Sequence, residues 1–126
     1  MSELTTEIPE SLPDVEARVR VALATEGFGV LSEIDVAATL RAKLGVERPA
    51  LKVLGACNPT LVDQALTRDP RVALALPCNV ALEEVGATTT RVSIADPALM
   101  MSDPRLGDLV AEARERLARV LGALAP

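Results

Sequence analysis

Histidine, tryptophan and tyrosine are absent from this sequence of 126 residues, and Phe28 is its only aromatic residue. Without histidine the chain cannot form a Ser-His-Asp triad, a Cys-His pair or an ordinary histidine-ligated zinc or haem site. Without further aromatic residues it has no platform on which nucleic acid bases could stack. Any general base must therefore be a carboxylate, a lysine, a cysteine or water.

The chain also lacks runs of basic residues and long apolar stretches. Its 13 basic and 18 acidic residues give a net charge of -5, which repels nucleic acid backbones and anionic lipid headgroups. No apolar run approaches the roughly 20 residues of a membrane span, and the start of the chain does not resemble a signal peptide. We expect a cytoplasmic protein with neither nucleic acid nor a membrane as partner.

Known phosphate-binding and nucleophile motifs are missing as well, since GxGxxG, the P-loop and GxSxG do not occur. What the chain does contain is 49% hydrophobic residues, mostly aliphatic, which is enough to build a core. Its length suits one domain. We therefore expect a single domain over residues 1–126.

The hydrophobic periodicity predicts alternating helices and strands. Apolar residues at helical spacing, with capping residues ahead of them, indicate helices. Alternating or short apolar runs bounded by turn residues indicate strands. Helices are expected at about 12–27, 35–44, 59–69 and 104–124, with a further start at Asp96-Pro97, and strands at 28–34, 51–57, 72–76, 78–85 and 88–94.

The last three predicted strands follow one another too closely for parallel pairing. In the helix at 35–44, Leu40 and Leu44 are expected to face inward. The resulting prediction is an α+β fold: a mainly antiparallel sheet with helices packed on one face and a long C-terminal helix.

The two cysteines are candidate catalytic residues. Cys57 ends a predicted strand just before a helix N-terminus, where aligned amide dipoles favour a thiolate. The opposing interpretation is inert packing. Cys57 is expected to share the apolar face of its strand with Leu51 and Val53, and Cys78 that of its strand with Val80 and Leu82.

A disulfide between Cys57 and Cys78 is not expected in the cytoplasm, although thiols on neighbouring strands could come within bridging distance. Their spacing matches no metal-ligand motif, so no metal site is predicted. A soft-metal site would need Met100, Met101 or a partner chain to complete it.

Four polar residues complete the candidate ligand-binding set. Asn58 can orient a ligand or simply cap the helix that begins at Pro59. Asn79 is unusual because asparagine is disfavoured inside strands. Glu33 and Asp35, two apart at a strand end, could form an acid or cation site, or serve as a solvated charge and a helix cap.

Three segments resemble the motifs of the bacterial and archaeal family called domain of unknown function 302. They are residues 27–35 (GFGVLSEID), 54–59 (LGACNP) and 76–80 (LPCNV), followed by Asp96-Pro97, and the resemblance spans about 12–101. It implies a small α+β domain that is a homodimer in members of known structure, without an established activity. Its motifs carry over Glu33, Asp35, Cys57, Asn58, Cys78 and Asn79, whereas Leu51 replaces a frequent aromatic residue.

Three hypotheses follow, and whether the protein is an enzyme stays open. The first is a homodimer that binds a small molecule or ion near the two Cys-Asn pairs. The second is a thiol-dependent redox or sulfur enzyme or sensor in which Cys57 attacks and Cys78 resolves. The third is a purely structural dimerisation module. The sequence assigns no cofactor.

Overall fold

A computed structural model describes residues 4–125. Within that range the chain forms five strands, five α-helices and two 3-10 segments. They are β1 (Leu4–Ile8), α1 (Leu12–Thr25), β2 (Gly29–Asp35), α2 (Val36–Leu44), β3 (Leu51–Cys57), α3 (Pro59–Arg68), a 3-10 helix (Pro70–Ala75), β4 (Cys78–Gly86), β5 (Thr89–Ile94), α4 (Pro97–Met100), a 3-10 turn (Pro104–Leu106) and α5 (Gly107–Leu124).

The strands form one antiparallel sheet in the order β1-β5-β4-β3-β2. Its register places a row of apolar residues side by side, Leu4, Ile94, Val80 and Leu54, all of them buried. Because side chains alternate along a strand, the neighbouring row points to the opposite face. We call that opposite face, which runs through Thr5, Ser93, Ala81, Val53 and Ile34, the open face.

Helices α1 and α5 cover the buried face. Ser11 caps α1, which buries Val15, Val19, Ala22 and Leu23 in the stripe that its sequence predicts. Helix α5 contributes Leu117, Val120 and Leu124 to the same core. The α+β prediction, with its antiparallel sheet, its helices on one face and its long C-terminal helix, is confirmed.

A smaller apolar cluster lies beside this core. It joins α3 and the 3-10 helix to the first turns of α5 through Leu61, Ala65, Val72, Leu106, Leu109 and Val110. The two clusters meet near the N-terminus of α3, and that junction positions the candidate site.

The structure differs from the predicted strands in two places. The predicted strand at 72–76 is wrong, since Pro70–Ala75 is a 3-10 helix that starts where Asp69 Oδ1 accepts a hydrogen bond from the Arg71 amide at 3.0 Å. Strand β1 was not predicted, because its alternation is masked by Thr5, Thr6 and Glu7. It is held by pairing with β5.

Two predicted faces are also wrong. In β3 the residues in the core are Leu54 and Ala56, while Leu51, Val53 and Cys57 alternate to the other side. In α2 no residue is buried, and Leu44 is 71% exposed. Both errors have one cause: each strand or helix offers apolar residues on two faces, and only tertiary packing selects one.

Among residues 4–125, no helix combines the length and apolar character that crossing a membrane requires.

Candidate functional site

A cavity of about 60 Å³ lies at the junction of the two apolar clusters. Its walls come from the ends of β3 and β4 and from α3, the 3-10 helix, α4 and α5. They are almost entirely apolar. They include both cysteines, the neighbouring methionines Met100 and Met101, and the only aromatic side chain, Phe28.

Small side chains create this space. Ala56, Ala65, Ala75, Ala95 and Ala113 all line the cavity, and they come from five separate segments of the chain. Close-packed interiors leave few voids larger than a water molecule, so alanines converging at one point leave room that larger neighbours do not fill. No single stretch of sequence carries this pattern.

Cys78 borders the cavity and is partly buried. It packs against the main core, and its Sγ donates a weak hydrogen bond to the Ala95 carbonyl oxygen at 3.5 Å. Burial, with a smaller contribution from the negative charge of Asp96, raises the pKa of Cys78 to about 11. At neutral pH this side chain is a thiol, so it is a poor nucleophile.

Cys57 also borders the cavity, at the end of β3. The strands β3 and β4 are neighbours, but the residue opposite Cys78 is Ala56. The two cysteines are thus offset by one residue, and strand alternation directs them to opposite faces of the sheet. Both are free thiols.

Asn58 is buried, and both polar atoms of its amide group have hydrogen-bond partners. Its Oδ1 accepts a hydrogen bond from the Leu61 amide at 3.2 Å, which caps α3, and its Nδ2 donates to the Glu26 carbonyl at 3.4 Å. Arg116 Nη1 donates to the same carbonyl at 3.0 Å. Asn58 therefore forms part of the cavity wall while it joins α3 to the end of α1.

The structure does not bring the other predicted polar residues to this cavity. Asn79 is exposed on the open face. Glu33 lies near the far end of β2, where Lys52 Nζ approaches its Oε1 to 2.6 Å. Asp35 caps α2 by accepting a hydrogen bond from the Ala38 amide at 2.9 Å.

The segments that carry the family resemblance meet at this corner. Gly27 has a φ of +85°, and a Cβ placed on it would lie 3.1 Å from Asn58 Nδ2. A Cβ placed on Gly55 would overlap the Ser32 hydroxyl and lie 2.7 Å from Pro77 Cγ. These glycines let the motif segments approach one another.

A groove of about 450 Å³ adjoins the cavity, and we call it the outer groove. It shares Val72, Ala75, Met100 and Met101 with the cavity lining. At its other side lie Asp69, Arg71 and Asp103. Sequence reasoning missed this region, because the segment 72–76 was predicted to be a strand.

The cysteines and methionines around the cavity are soft ligands. Within residues 4–125, no three or more cysteine, aspartate or glutamate side chains are arranged to hold a metal ion.

The family model described as "Domain of unknown function DUF302" matches residues 4–124. The chain belongs to this family. A crystal structure of the uncharacterized conserved protein DUF302 from Bacillus stearothermophilus is similar to it, with 28% identity, a TM-score of 0.88 and coverage of 99% of both chains. No curated protein matches this DUF302 chain. The match extends beyond residues 12–101, where the sequence resemblance was noted, to include β1 and α5.

Proposed function

We propose that this DUF302 chain is a binding domain whose ligand is a small apolar molecule held in the cavity beside Cys57, Asn58 and Cys78. The observation that carries the proposal is the lining itself. The cavity lies between two well-packed clusters, is bordered by alanines, and contains Asn58 as a polar side chain whose hydrogen bonds are already made. Apolar cavities of this kind stay dry and accept apolar guests.

The thiol-dependent alternative has less support. A resolving thiol must ionise readily, and burial holds the pKa of Cys78 at about 11. The offset between Cys57 and Cys78 across β3 and β4 also disfavours a bond between their sulfurs. Binding therefore accounts for this site better than sulfur chemistry.

Xenon is the probe that tests the binding proposal. Under xenon pressure, the methyl NMR signals of cavity residues such as Val62 and Leu117 should shift in a saturable way. Ala113→Leu, which fills the cavity from α5, should abolish these shifts. Ala118→Leu, an exposed site on the same helix, is the matched control and should leave them unchanged. Unsaturable shifts, or equal shifts in Ala113→Leu, would count against the cavity as a binding site.

A second candidate function is assembly of two copies of the chain. Strand β2 is an edge of the sheet and exposes Leu31 and Ile34, and Leu44 and Val46 are exposed at the end of α2, which follows β2 directly. We call these four residues the β2-α2 surface. A helix of nine residues that buries no side chain gains little from its own propensity, so packing against another surface would stabilise it.

A second copy is the occupant we propose for the β2-α2 surface. Pairing two edge strands across a two-fold axis would satisfy their free backbone groups and cover the same apolar residues on both subunits. A homodimer is also what the family resemblance implies. In sedimentation equilibrium, the protein should have twice the monomer mass of 13.2 kDa.

Ile34→Lys and Leu44→Lys should shift this species to the monomer. Val21→Lys replaces a residue that is 68% exposed on α1, away from the surface, and is the matched control. A wild-type protein that stays monomeric at high concentration, or a dimer unaffected by both lysines, would rule out this surface as the interface.

A further inference from the structure

The cavity has a neighbouring space, the outer groove. Val72 and Ala75 of the 3-10 helix and Met100 and Met101 after β5 line both the cavity and the outer groove. The two spaces therefore share part of one wall. With about 60 Å³, the cavity has room for roughly two water-sized groups, whereas the groove has about 450 Å³. A ligand that uses both would be elongated, with a narrow inner end.

The walls of the outer groove nearest the cavity are apolar and exposed. Leu74 is 89% exposed, Leu99 is 59% exposed and Met100 is 50% exposed. These side chains stand on the 3-10 helix and on α4, and all three line the outer groove. Exposed apolar side chains grouped around a cavity entrance are typical of a site that takes an apolar guest.

The far side of the groove is polar, and its exposed groups are cationic. Asp69 is a buried carboxylate with 9% of its side chain exposed, and it accepts hydrogen bonds from Arg71 Nε and Nη2 at 3.1 and 3.0 Å. Arg71 itself is 75% exposed. Arg105 is 61% exposed and binds Asp103 at 2.7 Å and Asp69 at 3.5 Å. The guanidinium groups are thus much more exposed than the carboxylates that they contact.

Guanidinium groups donate through five N–H bonds, so one carboxylate partner does not exhaust them. The contacts of Arg71 with Asp69 use its backbone N, Nε and Nη2. Within residues 4–125, its Nη1 makes no hydrogen bond. A ligand carboxylate at this side of the groove would meet this free donor group. Arg105 would reinforce it, because its charge lies next to that of Arg71.

We infer that the ligand is an unbranched aliphatic carboxylate. Its chain end lies in the cavity, its middle passes between Leu74 and Leu99, and its head group binds Arg71. This inference rests on the proposed binding function and adds the ligand class to it. An aliphatic chain matches the narrow apolar space, and the anionic head matches the exposed guanidinium at its end.

Isothermal titration with straight-chain carboxylates of four to ten carbons tests the chain. Each methylene that enters apolar surroundings contributes about 0.8 kcal/mol, so the affinity should rise about fourfold per carbon and then level off once the cavity is filled. In Ala113→Leu, which shortens the inner space, levelling should begin at a shorter chain. An affinity that does not depend on chain length would overturn the inference.

The head group is tested by comparing octanoate with octanol. Arg71→Gln should weaken octanoate binding by at least fivefold and leave octanol binding unchanged. Arg119→Gln is the matched control, since Arg119 is also an exposed arginine in an ion pair, with Glu26, and neither residue lines the outer groove. Equal octanoate and octanol affinities in the wild type would overturn the carboxylate assignment.

The xenon experiment tests the binding function separately from the ligand class. If xenon enters the cavity and carboxylates do not bind, the ligand class is wrong and the binding function stands. If neither xenon nor carboxylates bind, both proposals fail.

Discussion

Gly55 lies where three segments of the chain approach most closely. Ser32 on β2 and Pro77 just before β4 both pack over it, and no side chain fits between them. Pro77 is a rigid ring, so it cannot move aside as the end of a flexible side chain can. The absence of a Cβ at this position therefore permits the approach of β2, β3 and the residues before β4.

Gly55→Ala should lower the free energy of unfolding by about 1–3 kcal/mol, the usual cost of forcing extra volume into a packed site. Urea unfolding measures this change. Gly29→Ala is the control, because a Cβ at Gly29 would meet nothing within 4 Å, and it should be close to neutral. Equal stabilities of the two variants would contradict the packing described around Gly55.

Cys78 should react slowly with iodoacetamide in the folded protein. Since only the thiolate reacts and burial raises its pKa from 9.0 to about 11, the rate at pH 8 should be about 100-fold below that of the urea-unfolded protein. Labelling followed by peptide mass spectrometry measures each cysteine separately. A comparable rate in both states would show that the Cys78 thiol is accessible and ionised, which would revive the redox hypothesis.

At the scale of single residues, sequence reasoning succeeded where the signal is local. Asn58-Pro59 predicts a capped helix start, and Asn58 does cap α3. It could not reveal the cavity, because the five alanines that open it are far apart in sequence and each is ordinary in its own segment.

Helices α2 and α3 each begin at a side-chain cap, but the two caps differ in burial. Asp35 caps α2 at an exposed position, whereas Asn58 caps α3 at a buried one and also donates to Glu26. The two helices differ in burial in the same way, since α3 buries Leu61 and Ala65 and α2 buries no residue.

Asn58→Ala should therefore cost more stability than Asp35→Ala. Loss of an exposed cap costs about 1 kcal/mol, while the Asn58 variant also loses its part-buried hydrogen bond to the Glu26 carbonyl, for a total of about 2 kcal/mol. Thermal or urea unfolding of both variants measures the difference. If the exposed cap proved the more costly, α2 would be better anchored than its burial indicates.

The two misread segments show the limits of periodicity at this scale. Apolar residues at 72–76 suit a strand equally well, and Asp69-Pro70 decides for a 3-10 helix by capping it. The pattern of β1 is weak by itself, with two threonines and a glutamate among five residues. Only its partner β5, far along the chain, makes it a strand.

Across the whole molecule, Lys52 joins elements that are distant in sequence. From β3 it contacts Glu16 on α1 at 2.9 Å and Glu33 on β2 at 2.6 Å, and Arg20 contacts both carboxylates. Burial alone would raise the pKa of Glu16, but the hydrogen bonds from Lys52 and Arg20 outweigh burial and lower that pKa.

A carboxyl group whose pKa is lowered by folding stabilises the protein above its unfolded pKa, and that stabilisation is lost as the pH falls. Lys52→Met should therefore be less stable than the wild type by about 1 kcal/mol near pH 7, with a difference that shrinks in acid as Glu16 becomes protonated. Unfolding curves across this pH range measure the difference.

Lys43→Met provides the control, because Lys43 is exposed and is the only other lysine. It should follow the wild type at every pH. A constant gap between Lys52→Met and the wild type down to pH 3 would indicate that lost packing, and not charge, causes the destabilisation.

The fold class follows from composition and periodicity, because alternating strands joined by short turns must be antiparallel and amphipathic helices must cover one of their faces. Composition and periodicity do not predict which face of β3 is buried. Leu51 and Val53 are as apolar as Leu54, and the neighbouring strand, which places Val80 opposite Leu54, determines which side becomes core.

Strand β1 pairs with β5, residue by residue from Leu4 opposite Ile94 to Ile8 opposite Thr90. During synthesis β1 leaves the ribosome long before β5 exists, so its backbone groups lack their strand partner until then. The pairings among β2, β3, β4 and β5 join strands that follow one another in sequence, whereas the pairing of β1 with β5 closes the longest loop in the sheet. Co-translational folding of this protein is therefore completed only after most of the chain has been translated.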